Sequence, residues 1–86
     1  MENEANFPWR LYVDDYFIGD ETNSFQEFFY VISRTGMVAV ARMGAEIKVV
    51  DALDTIVFHV VDNVIVWPEE FQNMPFAAFA ASARQS

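Results

Sequence analysis

Residues 55–67 read Thr55-Ile56-Val57-Phe58-His59-Val60-Val61-Asp62-Asn63-Val64-Ile65-Val66-Trp67. Two β-branched and aromatic runs flank a two-residue Asp-Asn turn, the sequence form of a β-hairpin. That loop length predicts Val61 opposite Val64, Val60 opposite Ile65, His59 opposite Val66 and Phe58 opposite Trp67. Successive side chains alternate between faces. One face therefore gathers Ile56, Phe58, Val60, Ile65 and Trp67, and Phe58 and Trp67 read as core. The other gathers Val57, His59, Val61, Val64 and Val66. Both faces are apolar, so the hairpin needs cover on two sides. Either helices of the same chain lie on both faces, or the second face is a surface for self-association or for a partner.

The neighbouring segments supply the candidate cover. Ser24 followed by Glu27 is a capping box, and Phe25, Phe28, Phe29 and Ile32 recur at helical spacing. These predict an amphipathic helix over about 24–35, with Gly36 as its C-cap. Asn73 as N-cap and Pro75 in the first turn predict a short helix over about 75–84, with Phe76, Phe79, Ala80 and Ala83 on one face. Pro68-Glu69-Glu70 resembles another helical first turn, acids at its positive end.

The remaining segments read as strands. Trp9–Val13 and Tyr16–Ile18 flank Asp14-Asp15 as a first hairpin, with Leu11 opposite Ile18. Met37–Arg42 alternates Val38 and Val40 with Ala39 and Ala41 and reads as a strand. Glu46–Val50 follows, and Asp51–Asp54 forms a polar corner. The fold class is therefore α+β: an N-terminal hairpin, one amphipathic helix, a mostly antiparallel sheet and a C-terminal helix. At 86 residues the chain is a single domain over 1–86, with 1–8 as a loose lead-in.

Composition narrows the function classes. Apolar residues make up 53% of the chain, enough to exclude an intrinsically disordered segment. Zero cysteines exclude a disulfide scaffold and any thiolate metal site. An acidic start with no apolar run predicts no secretory signal and no membrane span, hence a cytoplasmic protein.

Net charge is −8, from 13 acids against 5 Lys and Arg. Such a chain lacks the basic patch that nucleic acid requires and is repelled by anionic membranes. Six of the acids fall within the first 23 residues, opposed there only by Arg10.

No catalytic constellation emerges, so no enzyme is expected. His59 is the only histidine, flanked by valines, and reads as structural. Without cysteine or a second histidine there is no metal site and no nucleophile–base pair, and no cofactor is expected. Asp14, Asp15, Asp20 and Glu21 could gather at one end of the first hairpin, but they lack calcium-loop spacing. Together with Tyr16 they form an acidic–aromatic patch suited to a basic protein surface.

The expected function is a non-catalytic protein-binding module: a small acidic inhibitor or regulator. Its size and composition suit a phage or mobile-element product acting on a host protein. The alternative is a homo-oligomeric assembly protein using the hairpin 55–67, with Val57, His59, Val61, Val64 and Val66 as its interface. Third come a nucleic-acid mimic, for which the acids are too dispersed, and a small ligand-binding protein with a greasy pocket.

Overall fold

A computed structural model describes residues 6–84. The hairpin at 55–67 sits at one side of a five-stranded antiparallel sheet. Its strands are β1 (Trp9–Val13), β2 (Tyr16–Thr22), β3 (Ile47–Val50), β4 (Ile56–Val61) and β5 (Val64–Trp67), in spatial order β2-β1-β3-β4-β5. Among the described residues, three helices, α1 (Phe25–Ile32), α2 (Thr35–Arg42) and α3 (Phe76–Arg84), complete an α+β domain with a single 3-10 turn at Glu69–Phe71.

All three helices lie on the same face of the sheet. Leu11, Ile47, Val49, Phe58, Val60 and Ile65 point into one core with Phe28, Ile32, Met37, Ala41, Phe76 and Ala80. Phe58 is its hub, with ring centroids 5.1 Å from Phe79, 5.5 Å from Phe28 and 6.2 Å from Phe76. The C-terminal helix thus packs beside α1 and α2 and does not cover the second face of the hairpin, which stays open.

Ser24 caps the helix as read, while the Glu27 carboxylate reaches one residue past the cap, to Asn23. Ser24 Oγ accepts from the Glu27 N–H at 3.1 Å, and Glu27 Oε1 accepts from the Asn23 N–H at 2.7 Å. The helix is shorter than expected, ending at Ile32 with Ser33 as its C-cap.

Met37–Arg42 is not a strand but most of a second helix, with Gly36 in its first turn rather than at a C-cap. Alternating valine and alanine imitates a two-residue period. The buried set, Met37, Val38 and Ala41, has the i, i+1, i+4 spacing of a helical face, and alanine is the best helix former.

Two register shifts correct the hairpin reading. Val61 pairs with Val64 and Val60 with Ile65, but beyond a bulge His59 pairs with Trp67 instead of Val66. A bulge places two residues against one and re-aims the side chains beyond it. Trp67 therefore joins the outer face and is 47% exposed, so it is not core. A second bulge pairs Val50 with Ile56. Ile56 turns outward, while Val57 packs against the core and leaves the face assigned to it.

Turn chemistry carries the connections. Both residues of Asp14-Asp15 and of Asp62-Asn63 have positive φ, the signature of type I′ turns, which match the strand twist. Asp54 and Asn73 also sit at positive φ; Asp and Asn tolerate that region best among residues with a side chain. Asn73 is not an N-cap. Its N–H donates to the Ile65 carbonyl at 2.8 Å, and the Ile65 N–H donates to the Met74 carbonyl at 2.9 Å. Residues 73–75 thereby strap the outer edge of β5.

At the corner, Asp51 Oδ1 accepts from the Leu53 and Thr55 N–H groups at 2.9 Å each. The Thr55 N–H is the main reason its carboxyl lies below the usual range; burial opposes the shift, and Leu53 and Asn6 add to it.

Phe58→Ala should cost about 3–5 kcal/mol in urea denaturation, as for other buried phenylalanines, and Trp67→Ala about 1 kcal/mol or less, as for a surface change. The depressed Asp51 pKa gives stability that is complete above the unfolded value near about 3.9 and is lost as pH falls through the folded value. Asp51→Asn should therefore be less stable than the wild type at neutral pH. The gap should narrow in denaturation curves taken at progressively lower pH through the acid range.

Candidate functional site

The open face of the sheet is built by strand alternation. Between the inward Leu11, Ile47, Val49, Phe58 and Val60 lie residues that point the other way. Register sets Phe17 opposite Tyr12, Tyr12 opposite Lys48, Lys48 opposite His59 and His59 opposite Trp67. One row of side chains thus crosses all five strands, with aromatic groups towards both ends. Phe17 and Tyr12 have ring centroids 5.6 Å apart, and Phe17, like Trp67, is 47% exposed. A parallel row runs Glu21, Arg10, Val50 and Ile56.

Each base on this face meets an acid. Lys48 Nζ lies 3.4 Å from Asp15 Oδ1, and His59 Nε2 lies 2.6 Å from Glu46 Oε2. Arg10 pairs with Asp54. Tyr12, Asp15, Lys48, Val50 and Asp54 line a shallow recess of about 230 Å³. The Asp15 and Asp54 side chains are both largely exposed, whereas their Lys48 and Arg10 partners are more buried. The cationic stems lie down on the sheet, and the carboxylates stand at the rim.

The structure brings some of the expected contact residues together and separates others. Asp14 and Asp15 form the β1–β2 turn, followed by Tyr16, 76% exposed. Asp14 is also structural: its Oδ1 accepts from the Glu46 N–H at 2.9 Å, and its own N–H donates to the Glu46 carbonyl at 2.8 Å. Glu21 lies opposite Arg10, near the far end of β2 and away from the turn. Asp20 falls in β2, but its side chain is outside the described part of the structure. The four acids therefore do not gather at one end of the hairpin.

On the second hairpin, His59, Val61 and Val64 belong to the open face by register, and Val66 sits at the bulge. His59 is not enclosed by valines; its neighbours are Glu46, Lys48 and Trp67. Among the described residues, no group of three or more His, Cys, Asp or Glu side chains could hold a metal ion. No helix among them is long and apolar enough to cross a membrane.

Sequence reasoning missed Phe17, Arg10, Lys48 and Glu46 as parts of this surface. The alternation Trp9-Arg10-Leu11-Tyr12 and Ile47-Lys48-Val49 carries the signal for Arg10, Tyr12 and Lys48. The β1–β3 pairing that unites them is long-range and leaves no local mark. Comparison with protein-family models, curated proteins and solved structures finds no match to the chain.

The ion pairs on the face are exposed, and such pairs contribute about 0–1 kcal/mol. Asp15→Asn and Asp54→Asn should each leave the unfolding free energy within about 1 kcal/mol of the wild type. Asparagine keeps the positive φ of both positions, so chemical denaturation isolates the charge.

Proposed function

We propose that this protein is a non-catalytic protein-binding module, a small acidic inhibitor or regulator acting in the cytoplasm, and that it docks through the open face of its sheet. The observation that carries the reading is the row Phe17, Tyr12, Lys48, His59 and Trp67 on the side that no helix covers. Trp and Tyr are enriched among residues that dominate binding energy. Here they stand on strands, where side-chain positions are held by the ladder, and two of the acids flank a recess beside them. The partner that fits is a protein surface with an apolar centre and a basic rim, one basic side chain reaching between Asp15 and Asp54. The two regions the sequence offers separately, the acidic hairpin and the second face of 55–67, are then one surface. A size and composition suited to a mobile-element product acting on a host protein accord with this role.

Docking by side chains fits the sheet better than docking by strand addition. The edge of β5 is strapped by residues 73–75. Along β2 the register shifts between Arg10 and Tyr12, leaving Leu11 opposite the three residues Ile18–Asp20. Bulged and covered edges resist pairing with another chain.

A photo-crosslinking residue placed at Phe17 or at Trp67, with Tyr30 of α1 as the control, tests the reading in lysate of the encoding organism. The expected outcome is one common adduct from positions 17 and 67 and none from 30. The purified partner should then bind Trp67→Ala at least about tenfold more weakly, the loss expected of a hot-spot aromatic, while the variant stays folded. Equal crosslinking from Tyr30, or none from the sheet positions, would overturn it. An adduct with a second copy of the chain would replace it with the homo-oligomer.

A further inference from the structure

His59 stands on the open face between Lys48 of β3 and Trp67 of β5. Its Nε2 lies 2.6 Å from Oε2 of Glu46, in the link between α2 and β3. An ionised carboxylate only accepts, so Nε2 carries a proton. Glu46 is itself held in place: its N–H donates to Asp14 Oδ1, and its carbonyl accepts from the Asp14 N–H. The β1–β2 turn thus positions the carboxylate that orients the ring and sets its tautomer.

The other ring nitrogen is left to the solvent. Nδ1 has no hydrogen-bond partner among the described residues, and the enclosed polar atoms without partners there are Trp9 Nε1 and Asn63 Oδ1. Nδ1 is therefore accessible, and in the neutral ring with its proton on Nε2 it is a bare acceptor. Among the described residues, the titratable groups that face the ring are Glu46 and Lys48, and β5 offers the uncharged Trp67. Behind them stand Asp15, paired with Lys48, and Asp14, bonded to Glu46.

Resting on the docking role given to this face, we propose that His59 is its proton-sensitive contact: Nδ1 accepts a hydrogen bond from a donor on the partner, and protonation of Nδ1 abolishes it. A protonated ring is a donor at both nitrogens and an acceptor at neither. It also sets a second positive charge beside Lys48, against a partner rimmed with basic groups. Both effects have the same sign. Docking is at full strength where the ring is neutral and weakens as pH falls through the range in which imidazole gains its proton. Glu46 is a positioning residue that acts through the ring.

Two measurements test this. The chain has a single histidine, so nitrogen NMR of the full-length protein, labelled in its imidazole, observes this ring alone. At about pH 8, the upper end of the imidazole range, the wild type should show a protonated Nε2 and a bare Nδ1, and Glu46→Ala a mixture of tautomers. A bare Nε2, or a mixture in the wild type, overturns the proposal. The second measurement uses the protein recovered by crosslinking through position 67. The wild type should bind it about three- to tenfold more weakly at about pH 6 than at about pH 8, the worth of one hydrogen bond. His59→Asn keeps an amide oxygen near the place of Nδ1 and cannot be protonated, so it should bind alike at both. His59→Leu should bind weakly at both. Equal wild-type affinity at the two pH values, or a pH dependence retained in either variant, overturns the proposal and leaves the docking face standing. If one variant fails to fold, the other and the wild-type comparison decide. No adduct from positions 17 and 67 removes the docking face itself, and the proposal with it.

Discussion

Ile47, Val49, Val60 and Ile65 project from the three strands nearest the β5 edge into the helical layer and are almost completely buried. The burial of this row is the interaction on which the rest depends. It fixes the registers of β3, β4 and β5, because a slip of one residue would carry the whole set into water. It also claims all three helices. With α1, α2 and α3 gathered on one side, the described residues leave no helix for the other. The open face therefore follows from how the core is made.

The two bulges, one at Val57 of β4 and one at Val66 of β5, show how that constraint is met. Uninterrupted alternation would bury Trp67 and Ile56 beside Phe58. The shifts at His59/Val60 and at Val49/Val50 send both outward and bring Val57 in. The core already holds the indole of Trp9 with Phe28, Phe76 and Phe79. Trp67 stands on the open face instead.

Local chemistry was legible in the sequence: the helix cap at Ser24, the two-residue turns at Asp14-Asp15 and Asp62-Asn63, and the inward set Phe58, Val60 and Ile65. What escaped it was either ambiguous or long-range. Val38, Ala39, Val40 and Ala41 satisfy a strand period and a helical one at once, and only the short link through Ser33 and Arg34 and the packing of Met37 and Ala41 resolve the choice. A bulge adds no residue type that announces it. The union of the two candidate surfaces needs the β1–β3 pairing, in which Tyr12 meets Lys48 across more than thirty positions of chain. The residues of the open face were thus visible as separate alternations, and their assembly into one row was not.

The left-handed turn residues bear on the acidity itself. Of the six non-glycine residues at positive φ among the described residues, four are aspartates: Asp14, Asp15, Asp54 and Asp62. Close to a third of the thirteen acids thus occupy positions whose backbone conformation restricts the choice of side chain. Part of the low isoelectric point is a by-product of how the chain reverses direction. Asparagine meets the same conformational demand without charge. The molecule's electrostatic field is therefore partly separable from its architecture, and its colloidal behaviour can change over evolution while the path of the backbone stays the same.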